Sequence, residues 1–208
     1  MTTRSRPETR QHPTPMEGQP ILQQRSYEIQ RYGERHSMPL GIAEDALKQN
    51  IDMLNQLLAD SITLYNLYKK HHWQVAGPTF YQLHLLLDKH AGEILTAIDF
   101  IAERIQTLGG VTTGMPFEVA KMTKIEHPPT GEEAVPAMLA RTVNAHAVVI
   151  REVRDGIEMT TQNKDYGTND MLMSDILRMH ELHVWFISQH LVDTPIINSQ
   201  MENGGRRG

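Results

Sequence analysis

The chain has 208 residues, 22% of them charged, a net charge of −5 and no cysteine. That length supports a single domain with its own buried core, while the lack of cysteine excludes a disulfide framework and a thiolate metal site and fits a reducing, cytoplasmic setting. The negative balance argues against a surface built for nucleic acid; no apolar run reaches the length of a membrane span, and MTTRSRPETRQHP lacks the apolar stretch of a signal peptide.

Residues 1–40 hold five prolines (Pro7, Pro13, Pro15, Pro20 and Pro39) and little apolar content, which predicts a flexible or loosely draped tail. From Ala43 to Lys70, Leu47, Ile51, Leu54, Leu58, Tyr65 and Tyr68 recur at three-four spacing, with Leu57, Leu64 and Leu67 beside them. This is the pattern of a long amphipathic helix. It delivers His71, His72 and Trp73 at its C-terminal end, where the dipole favours a cation. Pro78 and Thr79, with Gln82 three residues on, predict a capped start for a second helix. Gly109 and Gly110 predict its end.

The connection VTTGMPFEVAKMTKIEHPP is too long to lack structure of its own in a compact domain, so a short helix is expected near Pro116–Met122. Thr130 opens a third helix with Glu133 in capping-box position, although Pro136 then requires a bend or a later start. Val135, Leu139, Val143, Ile150, Val153 and Ile157 form its apolar stripe. A fourth helix is expected from Asn169 to Leu191, with Leu172, Ile176, Met179, Leu182 and Phe186 inward, followed by a polar tail over 193–208. The expected fold is all-α: a four-helix bundle over 41–192 with one long crossover connection that carries a short extra helix.

Four residues of metal-ligand type mark the second helix: His84, Asp88, Asp99 and Glu103. Each i,i+4 pair occupies one face, and the gap of eleven between the pairs is close to three full turns, so all four share one stripe roughly 100° wide. Asp88 and Asp99 nevertheless stand about 16 Å apart along the axis. One ion with bonds of about 2 Å cannot join both pairs of a single helix. Either each pair binds its own ion with help from elsewhere, or two copies of the helix pack antiparallel about a two-fold axis and complete two identical sites. The second is the better solution, because the stripe is nearly symmetric about Glu93-Ile94 and two-fold dimers are the commonest assembly. His72 then folds back beside His84. His71 is expected to point elsewhere and Trp73 to serve packing. His180 and His183 read as surface or inter-subunit polar groups, and His90, His127, His146 and His190 belong to no constellation.

The segments HHW (71–73), GPTFYQLHLLLD (77–88) and IDFIAERIQTLGG (98–110), with TND at 168–170 and WF at 185–186, resemble the Dps family, the mini-ferritins named as DNA-binding proteins from starved cells. The similarity runs from about Ala46 to Leu191. It implies a ferritin-like bundle assembled as a hollow twelve-subunit shell that oxidises Fe(II), usually with hydrogen peroxide, and stores the ferric product. It also implies inter-subunit ferroxidase ligands His72, His84 and Asp88 from one subunit and Asp99 and Glu103 from the next, with iron bound and zinc as a competitor. Asp170, helped by Asp165, would line the pore through which iron enters. Ferritins of the Glu-x-x-His kind are disfavoured, since no such pair lies on a predicted helix. The alternative function is DNA compaction in the nucleoid. Residues 1–40 carry six arginines against four glutamates, so DNA binding is expected to be weak.

Overall fold

The computed structural model describes residues 27–192, which are all-helical and form one bundle. Helix α1, Glu44–Gln74, starts with Glu44 and Asp45, charges that suit the positive end of its dipole, and ends with His71 and His72. It packs against α2, α3 and α4. Leu47, Leu54, Leu57, Leu58, Leu64 and Tyr68 are all essentially inaccessible.

Helix α2 spans Phe80–Thr107. Its start departs from the expected capping box: Thr79 stands at the N-cap position, but its side chain makes no capping bond. Gly77, at φ 94°, instead turns the chain so that its carbonyl accepts the Phe80 amide at 3.0 Å. The stop follows expectation. Gly109, at φ 85°, lets its own N–H reach Gln106 O and the Gly110 N–H reach Ile105 O, both at 2.9 Å, closing the helix in the left-handed manner glycine permits.

Gly109 also anchors the chain before α1. Its carbonyl accepts the His36 amide and the Gln30 side-chain amide, each at 2.9 Å. The last part of the expected tail is therefore draped along the end of α2, while 1–26 and the whole of the expected tail 193–208 lie outside the described residues.

Helix α3 covers Pro116–Met122, in the connection and at the place where a short helix was expected. Helix α4, Val135–Gln162, begins later than Thr130, which puts Pro136 in the first turn, where no amide partner is lost. Glu133 consequently caps nothing. It receives a two-pronged bond from Arg141 at 3.0 and 2.8 Å.

The fourth helix starts with α5, Tyr166–Met171, passes through a π-helical turn at Leu172–Leu177 and continues as α6, Arg178–Gln189. It begins earlier than Asn169 because Asp165 is the N-cap, its carboxylate accepting the Thr168 amide at 3.1 Å. The wide turn matters more. A π turn holds an extra residue, and each residue rotates an α-helix by about 100°. Downstream of Ile176 the inward face therefore moves from the expected Met179, Leu182 and Phe186 to His180, His183 and Ile187. Leu182 and Phe186 are exposed, at 45% and 41%, whereas His180 and His183 are at 0%.

Candidate metal centre

His72, near the end of α1, and His84, in the second turn of α2, face each other across the α1–α2 turn. Their rings stack at 3.8 Å with a 23° tilt. Each Nδ1 lies against the other residue's backbone carbonyl, His72 to His84 O at 2.8 Å and His84 to His72 O at 2.9 Å. A carbonyl can only accept, so Nδ1 carries the proton in both rings and each Nε2 keeps a lone pair. Backbone groups thus fix the tautomer and the aim of two imidazoles in the way that prepares histidine for a metal.

Asp88 stands beside this pair. Its Oδ1 is 3.9 Å from His72 Nε2 and accepts Lys69 Nζ at 2.6 Å. The Lys69 hydrogen bond holds the Asp88 carboxyl below the usual range, so it is an anion at neutral pH. Trp73, expected as packing, is 72% exposed, with Lys69 Nζ 5.9 Å from its ring centre.

Asp99 and Glu103 are exposed further along α2 and do not meet His72, His84 or Asp88 within the chain. One chain therefore presents two separated groups of ligand-type side chains. Tyr81, Leu85 and Leu95 are exposed along the same stripe, and among the described residues no neighbouring atom lies within 4 Å of where a Gly92 side chain would start. Apolar side chains left open on either side of a small residue suit the close approach of a second helix.

The structure also assembles a constellation that the sequence reading missed. Tyr68, His90, His146, His180 and His183 meet in the middle of the bundle, all at 0–1% exposure. Tyr68 Oη lies 2.6 Å from His146 Nε2 and 3.3 Å from His90 Nδ1, and His146 Nδ1 lies 2.9 Å from His180 Nδ1. His90 and His183 stack at 3.8 Å with an 11° tilt, and His183 Nε2 is 2.7 Å from Glu93 Oε2. Burial pushes His90 and His180 down to about 3 and His146 well below the ordinary value. His183 is lowered for the same reason, opposed by Glu93. The imidazoles are neutral at pH 7. His180 and His183 are thus interior groups rather than surface ones, and His90 and His146 do belong to a constellation. The i,i+3 spacings His90–Glu93 and His180–His183 were visible, but the rotation that brings them together is not written in residue spacing.

A ferritin-like domain model matches residues 51–197. The chain is 31% identical over 144 residues to DNA protection during starvation protein 2 of Bacillus anthracis, a match covering 69% of this chain and 97% of that protein. This chain belongs to the Dps family. Among solved structures it is similar to DpsC from Streptomyces coelicolor, with 48% identity and a TM-score of 0.81 over 83% of this chain and 100% of that one. It is also similar to a Dps homologue from Halobacterium salinarum, at 28% identity and a TM-score of 0.79 over 85% of this chain and 98% of that one. The bundle is accordingly the ferritin-like fold of Dps proteins, and no helix among the described residues is long and apolar enough to cross a membrane.

Of the two carboxylates expected at a Dps pore, only one is available. Asp165 is 1% exposed and fully engaged: it accepts from Asn50 Nδ2 at 2.9 Å, Arg104 Nη2 at 2.6 Å, and the Thr168 hydroxyl at 2.6 Å. Those bonds outweigh the effect of its burial and keep the carboxyl below the usual range. It is a structural cap that ties α5 to α1 and α2, not a pore residue. Asp165→Ala is expected to cost about 3–5 kcal/mol, because it strands a part-buried arginine; urea denaturation monitored by circular dichroism would measure this. Asp170 is exposed and holds only Ser174 Oγ, at 3.0 Å.

Proposed function

We propose that this chain is a mini-ferritin that oxidises Fe(II), with hydrogen peroxide as oxidant, at sites shared between two subunits. It stores the ferric mineral in a hollow shell and so protects the cell against oxidative damage. The observation that carries this reading is the reciprocal His72–His84 backbone lock, which leaves two Nε2 lone pairs beside the Asp88 carboxylate. Nothing in packing alone requires both imidazoles to be held with the same nitrogen free.

Antiparallel pairing of two α2 helices about Gly92–Ile94 would bring Asp99 and Glu103 of a second copy to His72, His84 and Asp88. Two such sites would form per dimer, and dimers would build the dodecamer. The resulting mixed nitrogen and oxygen set suits iron and also accepts zinc, a competitor for it. Each Fe(II) gives one electron. Peroxide takes two electrons and two protons, its O–O bond breaks, and two waters leave. Removing both reactants together prevents them from forming hydroxyl radical. Asp170, exposed at the start of the fourth helix, is assigned to the iron entry pore.

Asp99→Asn is expected to slow Fe(II) oxidation at least about tenfold while the shell stays assembled. Stopped-flow absorbance after mixing with Fe(II) and peroxide checks the rate, and light scattering checks the assembly; an unchanged rate would contradict the assignment. The family's association with DNA is assigned a minor role here, since residues 1–40 have six arginines against four glutamates. The expected location is cytoplasmic.

A further inference from the structure

Iron oxidation at the shared site leaves the most polar part of the bundle core unused. Tyr68, His146 and His180 bond one another: Tyr68 Oη lies 2.6 Å from His146 Nε2, and His146 Nδ1 lies 2.9 Å from His180 Nδ1. His90, Glu93 and His183 are different. One ligand atom from each lies within 4.8 Å of the other two, a spread that modest side-chain rotation closes onto an ion with bonds of about 2 Å. Among the described residues His183 Nδ1 and His180 Nε2 have no hydrogen-bond partner, although both side chains are wholly buried. An orphaned polar atom in such a place costs about 1–3 kcal/mol, so His183 Nδ1, on the ring that bonds Glu93, points to something that the described protein atoms alone do not supply.

The arrangement also repeats the one at the end of α1. His90 and His183 stack at 3.8 Å, as do His72 and His84, and each pair has one carboxylate at its edge. We propose that His90, His183 and Glu93 form a second metal site, complete within one subunit, for a divalent first-row transition cation. Neutral imidazoles with a single carboxylate suit zinc, iron, cobalt or copper rather than magnesium or calcium, and facing helices of a bundle are where such sites are built. Entry is available: Glu93 is half-buried and lines a surface groove with Thr96, Ser174 and Asp175, and the buried His183 ring bonds the same carboxylate from the inner side. Lys89 pairs with Glu93 there, but an exposed pair of this kind contributes about 0–1 kcal/mol and does not hold the carboxylate against a cation.

The test uses cobalt(II) and the full-length chain carrying His84→Ala and Asp88→Ala, which removes the shared site. Such shells are expected to bind one Co(II) per chain with the visible bands of a low-coordinate imidazole complex. Adding His183→Gln is expected to abolish both the bands and the bound ion. A folded background variant that takes up no Co(II), or Co(II) that survives His183→Gln, overturns the proposal. Anomalous diffraction from zinc-soaked crystals of the unmodified chain gives an answer independent of folding in the variants. A zinc peak among His90, Glu93 and His183 supports the site; a peak with no anomalous signal, as from water, or none at all, rejects it. Loss of iron oxidation in Asp99→Asn bears on the shared site alone, so the two readings fail separately.

Discussion

Shells assembled from two individually inactive variants are expected to regain iron oxidation. If His84 and Asp88 of one subunit act with Asp99 and Glu103 of another, a His84→Ala/Asp88→Ala chain and an Asp99→Asn/Glu103→Gln chain each build only defective sites. In a mixed dimer one site collects all four substitutions and the other collects none. Random pairing makes half the dimers mixed, so about a quarter of the wild-type number of sites should return. Co-refolding the two variants and following oxidation of Fe(II) by stopped flow measures that fraction. Sites confined to single chains would give no recovery at any mixing ratio. The rate in each recovered site should equal that of wild type, since no ligand is missing from it; a uniformly slowed reaction would point to altered assembly instead.

The second large effect is on stability in acid. His71, His90 and His180 are held at about 4, 3 and 3 by burial, below the ordinary 6.5. In the unfolded chain these groups take up protons near pH 6.5, while the folded chain refuses them. Unfolding therefore binds protons, and stability is fully present above pH 6.5 and lost as pH falls from there toward 4 and 3. Each such group removes about 1.4 kcal/mol per pH unit, so at pH 4.5 these three remove on the order of 8 kcal/mol. Glu152 acts in the opposite direction: burial raises it to about 7, and its contribution grows from pH 7 down to 4.5 by about 3 kcal/mol. The histidines prevail, and the loss rivals the 5–15 kcal/mol stability of a typical domain. Urea denaturation followed by circular dichroism at pH 7.5 and 5 should show a marked fall in midpoint. His180→Leu should shallow the pH dependence by about one proton. A midpoint that does not move between those pH values would show that the imidazole cluster is hydrated or already charged.

The four long helices and the short one in the crossover were legible because their signals are local. Three-four apolar spacing marks α1, Pro116 after a long loop marks α3, and the paired glycines after Thr107 mark the end of α2. The five candidate ligands were legible for the same reason, as spacings on one helix and across one turn. What was hidden depends on partners distant in sequence or on backbone geometry that no residue type announces. Asp165 could have been a pore carboxylate until Asn50 and Arg104, from two other helices, occupied it. Thr79 has the right residue type for a cap, but Gly77 had already turned the chain. Most of all, regular α-helical counting from Leu172 leads to Leu182 and Phe186, and it is the π turn that brings imidazoles inside in their place.

That wide turn makes the fourth helix a vernier. The stretch Arg178–Gln189 carries two complete inner faces, one oily and one rich in ring nitrogens, offset by a single residue. Losing one codon between Leu172 and Leu177 would let the coil tighten to α geometry and leave His180, His183 and Ile187 inside, whereas tightening it with every residue kept would move Leu182 and Phe186 toward the interior and His180 toward solvent. Relatives shorter there by one residue would then keep the same inner face, and alignment columns beyond that point would compare residues that look in the same direction only where the gap is placed within this turn.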